Sequence, residues 1–222
     1  MTRLVFLPGM DGSGYIFSQL TSILATFPVT FVSYPQQINA TWLNEFSAVM
    51  QDCILIGFSF GGLIARQIAY RNPKEIRGII LINSAYCPSM LTHRLHILRP
   101  LMAGVPNQLA NWIYLRRLEH ILRYEGLDSA ECLAYREQCS HISSILNRHR
   151  ILKQLWIEPI SLEPFWFFAP NSRELRFDIH RFSLKHPNAR SHLLQGGHRC
   201  LLTHSTLVEP QILRAIHYLR SG

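Results

Sequence analysis

The 222-residue sequence predicts an α/β fold in which a parallel sheet has helices on both faces and carries a helical insertion. Three observations predict it. Short runs of apolar, β-branched or aromatic residues recur along the first 85 residues, segments of helical periodicity separate these runs, and strand signals then stop between Tyr86 and Trp156. The length suits one domain, so we expect a single domain, residues 1–222, with a helical lid inserted at about 88–157.

Six apolar runs are the predicted strands of the sheet. Most of them are apolar at nearly every position rather than at alternate positions, which is typical of parallel strands that are covered on both faces. We place the strands at residues 4–7, 29–33, 53–57, 78–82, 165–169 and 191–194.

Apolar residues at helical spacing predict the helices. Ile16, Leu20, Ile23 and Leu24 mark one amphipathic helix, and a second begins at Gly61-Gly62. The remaining helices are predicted in the insertion, from Leu109 to Leu122 and from Ile142 to His149, and near the end of the chain, at residues 175–184 and 210–219.

Composition excludes several classes of protein. No apolar stretch approaches the roughly 20 residues of a membrane-spanning helix. The apolar run at the N-terminus stops at Pro8-Gly9, too early for a secretory signal, so we expect a cytoplasmic protein.

Five cysteines without a CxxC pair favour reduced thiols, and no zinc-ligand spacing occurs. The 22 basic and 14 acidic residues give a net charge of +8, which can attract nucleic acid, anionic lipid or an acidic protein.

The strongest motif is Gly57-Phe58-Ser59-Phe60-Gly61, which follows an apolar strand and opens a helix. A Gly-x-Ser-x-Gly sequence in this context is a nucleophile elbow. The serine occupies a strained, tight turn, and side chains at either glycine would collide with neighbouring elements. We therefore predict that Ser59 is a catalytic nucleophile.

The glycine-rich segment at residues 7–14 follows the first strand, where a main-chain N–H can face the reaction centre. Acyl transfer needs two donors for its oxyanion. The candidates are the N–H groups of Met10 and of Phe60, the residue after the nucleophile. A phosphate-binding loop is disfavoured because neither the GxGxxG spacing nor a Lys-Ser/Thr pair is present.

His198 follows an apolar run and the pair Gly196-Gly197. It is the predicted general base, since the base comes last in a Ser…acid…His chain order. His192 and His204 are nearby alternatives that we interpret as surface or core residues.

These three segments, in this order, resemble the α/β-hydrolase fold. The sequences LPGMDGSG, GFSFGG and GGH are further similar to the small esterases that demethylate pimeloyl-acyl-carrier-protein methyl ester in biotin synthesis. The family usually has two strands before the one that leads into the oxyanion loop, so the resemblance implies a fold trimmed at its N-terminus. It also implies a serine carboxylesterase that needs no metal or organic cofactor.

The acid of the triad departs from the family pattern, which places an Asp after the penultimate strand. Residues 168–175 contain no Asp, and the nearest carboxylate is Glu174. Glu174 is our first candidate. Asp178, one helical turn beyond, and Asn171, which could orient the imidazole without a charge, remain alternatives.

The predicted lid is rich in arginine. Arg116, His120 and Arg123 share one helical face, and Arg117 lies beside them. A solvated face with an ordinary Glu119–Arg123 pair is one interpretation. The other, in which Arg116, Arg117 and Arg123 bind a partner, is a docking patch for an acidic acyl carrier protein.

The sequence thus favours hydrolysis of an acyl ester through Ser59, His198 and an acid, most specifically of pimeloyl-acyl-carrier-protein methyl ester. A general carboxylesterase or a thioesterase is an alternative of the same class. A catalytically inert binding protein with the hydrolase fold is an alternative from another class, since the Asp is missing. We expect no nucleic-acid partner because the basic residues form no recognised reading motif, and no integral membrane association.

Overall fold

The structure is a computed structural model, and it describes residues 2–85, 106–140, 165–169 and 189–221 together with the single residues 155 and 187. Within these ranges six strands form one fully parallel sheet in the order β2-β1-β3-β4-β5-β6. The strands are β1 (Arg3–Leu7), β2 (Val29–Phe31), β3 (Cys53–Phe58), β4 (Ile76–Ile82), β5 (Phe165–Phe168) and β6 (Arg190–Leu193). All six lie within three residues of their predicted positions.

The strand order creates a switch point between β1 and β3. The chain passes from β1 to β2 on one side, then returns to the other side of β1 to form β3. The loops that leave the carboxyl ends of β1 and β3 therefore run to opposite faces of the sheet. A crevice at such a point is where ligands bind in open α/β sheets. The glycine-rich loop follows β1 and Ser59 follows β3, so both predicted site segments meet there.

The core has two halves, one on each face of the sheet. Strand β1 shows the division: Leu4 and Phe6 join one apolar cluster, and Val5 and Leu7 join the other. This alternation follows from the two-residue repeat of a strand. Both faces are covered, as the unbroken apolar runs predict.

The α-helices of the described ranges are as follows: α1 (Thr21–Thr26), α2 (Ala40–Ala48), α3 (Phe60–Arg71), α4 (Asn107–Tyr124), α5 (Ser129–Ser140), α6 (Cys200–Thr203) and α7 (Ser205–Ser221). Sequence periodicity did not single out α2, whose start is fixed by the Asn39 side chain accepting a hydrogen bond from Trp42 N at 2.9 Å. None of the helices in these ranges combines the length and apolar content that a membrane crossing requires.

The prediction of one helix from Ile16 to Leu24 is wrong. A 3-10 helix, Gly14–Phe17, precedes α1, and Leu20 between them has a non-helical backbone. The start of α1 is fixed by a distant residue, because the Glu209 carboxylate on α7 accepts a hydrogen bond from Ile23 N at 3.0 Å. A carboxylate near a helix N-terminus is electrostatically favourable, and chain periodicity cannot reveal that it comes from residue 209.

The closing helix begins five residues before its predicted start at Pro210. Proline inside a helix removes one hydrogen bond and costs about 3 kcal/mol. In α7 the apolar face nevertheless continues through the proline, with Val208 and Ile212 both fully buried. Burial of these side chains on the sheet outweighs the local preference.

Helices α4 and α5 are consecutive and in contact, and they lie inside the range predicted for the lid; we call them the helical pair. Its apolar side chains join the main core cluster, including Leu118, Leu122, Cys132 and Cys139. The predicted helix at residues 142–149 and both ends of the predicted insertion lie outside the described residues. The role of this segment as a lid therefore stays a prediction.

Candidate active site

Ser59 occupies a sharp turn between β3 and α3. Its backbone has φ 52° and ψ −114°, an unfavourable conformation for a residue with a side chain. The main chain holds it there, since Ser59 N donates to the carbonyl oxygen of Ile82 at 2.8 Å. Strain at one residue that the surrounding structure over-determines is typical of a functional site.

The flanking glycines allow the turn to pack closely against neighbouring backbone. A Cβ atom at Gly61 would lie 2.0 Å from the carbonyl oxygen of Leu7 at the end of β1. A Cβ atom at Gly57 would lie 2.5 Å from the Cα of Gly62. Both contacts are with backbone atoms, so no side-chain rotation could relieve them. A side chain at either glycine would therefore collide with its surroundings, as the motif predicts.

His198 lies directly beside Ser59. The two side chains are joined by a hydrogen bond of 3.0 Å between His198 Nε2 and Ser59 Oγ. His198 follows β6, is 1% exposed, and packs its ring on Phe58 with centroids 5.1 Å apart. The fold thus brings together two predicted site residues that are 139 positions apart in the chain. The arrangement has the reach that a base needs to take the proton of a serine hydroxyl.

The two candidate oxyanion donors lie in two segments that are in contact, the start of α3 and the turn after β1. Phe60 is the first residue of α3, so its N–H has no acceptor within the helix. Met10 lies in the turn after β1, which is closed by a 2.9 Å hydrogen bond from Gly12 N to the carbonyl oxygen of Gly9. The close approach of Gly61 to Leu7 and Pro8 holds this turn against the elbow.

The candidates for the triad acid, Glu174, Asp178 and Asn171, all lie outside the described residues. Among the described residues, Glu125, which sequence reasoning did not select, places its carboxylate against the main chain of His198. Glu125 accepts hydrogen bonds from main-chain N–H groups of the histidine loop. Its signal in the sequence is an acidic residue directly before a glycine at a helix end, where acidic residues are disfavoured.

Asn83 is a second residue that sequence reasoning missed. It follows β4, is 1% exposed, and has φ 47°. Its Nδ2 donates to the carbonyl oxygen of His198 at 2.6 Å, and its Oδ1 accepts from Ala169 N at 2.7 Å. Asn83 therefore ties the ends of β4 and β5 to the loop that carries the histidine.

The two alternative histidines, His192 and His204, make contacts with other residues. His192 stacks on Phe167 with ring centroids 5.0 Å apart, and burial together with Arg214 and Arg190 lowers its pKa. His204 Nδ1 lies 2.8 Å from Thr203 Oγ1. These contacts are typical of histidines with a structural role, which agrees with their interpretation from the sequence as surface or core residues.

Cys200 lies two residues after His198, contacts Asn83, and is fully buried. Burial raises the pKa of its thiol to about 12, although a hydrogen bond from Asn83 lowers it in part. Only the thiolate attacks alkylating reagents. We therefore expect iodoacetamide at about pH 8 to leave Cys200 unmodified in the folded protein and to modify it in concentrated urea. Peptide mass spectrometry measures both; rapid modification of the folded protein would contradict this assignment.

The predicted docking arginines all lie on α4 and are exposed. The Arg116 guanidinium lies 5.7 Å from the ring centroid of Trp112, which is itself 57% exposed. Arg123 is paired with Glu119 at 2.9 Å, so its charge is partly neutralised by a residue on the same helix. Arg116 and Arg117 are the stronger candidates for contact with a partner.

Groups of three or more His, Cys, Asp or Glu side chains that could bind a metal ion do not occur in the part of the chain that the structure describes. The site as described consists of a serine, a histidine and main-chain donors. A nucleophile, a base and main-chain donors are the groups that nucleophilic acyl transfer uses.

Two curated relatives are both called pimeloyl-[acyl-carrier protein] methyl ester esterase. The protein from Yersinia enterocolitica is 28% identical over 120 residues, which is 52% of this chain and 45% of the relative. The protein from Shewanella sp. (strain MR-7) is 34% identical over 93 residues, which is 38% of this chain and 35% of the relative. The matched part of this chain thus spans less than half the length of either relative.

Solved structures with low sequence identity share the fold. A hydrolase from Oleispira antarctica is 14% identical with a TM-score of 0.73, and the superposition covers 100% of this chain and 92% of that one. A thermophilic esterase from Thermogutta terrifontis is 12% identical with a TM-score of 0.66, covering 99% and 90%. The α/β-hydrolase fold family matches residues 50–194, which include Ser59 and the strands β3 to β6. The elbow, the parallel sheet and this match over more than half of the sequence lead to one conclusion: the chain belongs to the α/β-hydrolase family.

Proposed function

We propose that this protein is a serine ester hydrolase with Ser59 as nucleophile and His198 as general base. The observation that carries the proposal is the 3.0 Å hydrogen bond between His198 Nε2 and Ser59 Oγ on a strained elbow. A buried histidine in contact with a partly exposed serine hydroxyl has the geometry of serine activation. The names of the relatives and the esterase fold neighbours agree with this chemistry.

The reaction would proceed in two acyl-transfer steps. Ser59 Oγ attacks the ester carbonyl carbon while His198 Nε2 takes its proton, and the N–H groups of Phe60 and Met10 stabilise the oxyanion. The tetrahedral intermediate collapses, the C–O bond to the alcohol breaks, and His198 returns the proton to the departing alcohol. His198 then activates water, which attacks the acyl-serine and releases the carboxylic acid and the free serine.

The direct test combines turnover with covalent labelling. Purified protein is assayed with p-nitrophenyl acetate and butyrate, and is treated with a fluorophosphonate that phosphonylates activated serines with loss of fluoride. Turnover together with a phosphonyl adduct on Ser59 supports the proposal. Absence of both turnover and adduct would instead favour a binding protein with a hydrolase fold.

The more specific substrate that we propose is pimeloyl-acyl-carrier-protein methyl ester. Its hydrolysis yields methanol and a pimeloyl group that stays on the carrier and ends in a free carboxylate. The names of both curated relatives support it. Arg116 and Arg117 add a second line of support, since both are exposed on α4 and Arg116 lies over the exposed ring of Trp112. Exposed basic residues attract an acidic carrier and steer its docking.

Charge reversal on α4 tests the carrier. In the variant with Arg116→Glu and Arg117→Glu we expect kcat/KM for the carrier-bound methyl ester to fall about 10-fold or more at low salt. Turnover of p-nitrophenyl butyrate should stay within about twofold, because long-range steering does not act on a small neutral ester. Initial rates at several salt concentrations measure both effects.

The matched control reverses Lys74 and Arg77, which are exposed and lie just before β4 and at its second position. They are thus at the amino ends of the parallel strands, whereas Ser59 follows the carboxyl end of β3. The control has the same net charge as the test variant. Equal losses in the two double variants would show that total charge matters rather than a docking patch. Equal losses on both substrates would show damage to the fold.

A further inference from the structure

We propose that the helical pair sets the position of both halves of the catalytic machinery, with Glu125 and Tyr135 as positioning residues. Glu125 holds the loop of the general base, and Tyr135 holds the loop of the oxyanion donor. This inference rests on the proposed serine hydrolase function. It assigns to α4 and α5 a role that is different from that of a lid or a docking surface.

Glu125 binds the main chain of the histidine loop with both carboxylate oxygens. Oε1 accepts a hydrogen bond from His198 N at 3.1 Å, and Oε2 accepts one from Arg199 N at 2.8 Å. The Arg199 guanidinium approaches the same carboxylate, with Nη1 3.8 Å from Oε1, and both side chains are at most 8% exposed. Gly197 allows this approach, since a Cβ atom there would lie 2.7 Å from Glu125 Cδ.

The end of α4 is built so that Glu125 faces inward. Gly126 has φ +95°, its N–H donates to the carbonyl oxygen of Arg123 at 3.1 Å, and Leu127 N donates to that of Leu122 at 3.1 Å. These two bonds form a Schellman motif, which ends the helix and places Glu125 at the C-cap, directly after the last helical residue Tyr124. The buried side chains of Leu122 and Leu127 secure the turn.

A carboxylate is an unfavourable residue at this position for the helix itself. The C-terminus of a helix carries partial negative charge, which repels Glu125 by a few tenths of a kcal/mol to about 1 kcal/mol. Two main-chain N–H donors and Arg199 compensate for that repulsion only because the histidine loop lies against the helix end. The contact between Glu125 and this loop therefore explains why a glutamate occupies the end of α4, which helix stability alone does not.

Tyr135 makes the matching contact on the other side of the site. Its hydroxyl donates to Asp11 Oδ2 at 2.5 Å, and Asp11 Oδ1 accepts from Ser13 N at 3.1 Å. Burial and the neighbouring Asp11 carboxylate raise the pKa of Tyr135 well above its usual value, so the hydroxyl stays a donor. Asp11 directly follows Met10, the candidate oxyanion donor.

The two contacts come from helices that are packed together. Helices α4 and α5 share the buried residues Leu122 and Cys132 with the main core cluster. If the helical pair moved away from the sheet as a rigid lid, the bonds to His198 and to Asp11 would both break. The catalytic geometry therefore depends on the helical pair being docked, and misplacement of reacting groups by about 1 Å can lower a rate about 100-fold.

The test measures kcat and KM of Glu125 and Tyr135 variants on p-nitrophenyl butyrate. For Glu125→Ala we expect kcat to fall about 30- to 100-fold while KM changes less than about threefold. Glu125→Gln keeps one acceptor oxygen and should recover part of that loss. For Tyr135→Phe we expect a loss of about 10-fold in kcat, because Asp11 loses one hydrogen bond.

Matched controls use the same chemistry at sites away from the proposed contacts. Glu119→Gln removes a carboxylate from the same helix, and Tyr70→Phe removes a hydroxyl from an exposed tyrosine on α3. Both controls should keep kcat within about twofold of wild type. Folded Glu125 and Tyr135 variants with kcat within about twofold of wild type would overturn the proposal.

Amide hydrogen exchange provides a readout that does not need activity. In Glu125→Ala, which removes both acceptor oxygens, the amides of His198 and Arg199 should exchange at least about 10-fold faster than in wild type, whereas Glu119→Gln should leave them unchanged. Unchanged exchange at both amides would also overturn the proposal. Failure of the proposed function is a separate result, seen as wild-type protein without Ser59-dependent turnover while the exchange difference persists.

Discussion

Ser59→Ala will lower kcat for p-nitrophenyl butyrate by about 10⁵-fold or more, to the level of the uncatalysed reaction plus any help from binding. The hydroxyl forms the covalent bond to the acyl group, and it lies 3.0 Å from His198 Nε2, the base that activates it. The control Ser22→Ala, at an exposed serine of α1, should leave the rate unchanged. A rate for Ser59→Ala within about 10-fold of wild type would remove Ser59 as the nucleophile.

At the same position, Ser59→Gly should raise the stability of the protein although it removes the nucleophile. Ser59 has φ 52°, and a strained residue of this kind costs on the order of 1–3 kcal/mol. Ser59→Gly relieves that strain but increases the entropy of the unfolded chain, so we expect a net gain of about 1 kcal/mol in the free energy of unfolding. Urea denaturation of Ser59→Gly and Ser59→Ala measures the difference. A glycine variant less stable than the alanine variant would contradict a strained elbow.

The strands and the serine–histidine pair could be predicted because their signals are local. Each parallel strand is an apolar run that needs no knowledge of its neighbours, and the elbow combines strand, motif and helix within about ten residues. His198 could be found because its Gly-Gly lead-in and its place near the end of the chain are both visible in the sequence. Local pattern thus located the two side chains that touch at 3.0 Å.

The residues that hold those side chains could not be predicted in the same way. Glu125 bonds to a residue 73 positions away, Asn83 to one 115 positions away, and Tyr135 to one 124 positions away. Nothing near each residue in the chain indicates its partner, because the partner is set by sheet order and helix packing. The break between the 3-10 helix and α1 has the same origin, since the carboxylate that fixes the start of α1 belongs to Glu209.

Asn83 will have the largest effect on stability among these residues. Asn83→Ala removes the donor to His198 O and the acceptor for Ala169 N, both inside the protein, and it places alanine at φ 47°. Leaving a buried partner unsatisfied costs about 1–3 kcal/mol for each group, and the left-handed backbone adds about 1 kcal/mol. We expect a loss of about 3–5 kcal/mol in the free energy of unfolding, together with a fall in kcat of about 100-fold.

Three further variants separate the causes. Asn83→Gly tolerates the positive φ but loses the same two hydrogen bonds, so it should be about 1 kcal/mol more stable than Asn83→Ala and equally inactive. Asn83→Asp keeps an acceptor for Ala169 N but replaces the donor to His198 O with an acceptor, so activity should fall although the shape is preserved. The control Asn44→Ala removes an exposed asparagine that bonds Arg71, and it should cost less than about 1 kcal/mol. If Asn83→Asp instead retained wild-type kcat, the bond from Asn83 to the histidine loop would not position His198, and the loop would depend on its other contacts alone.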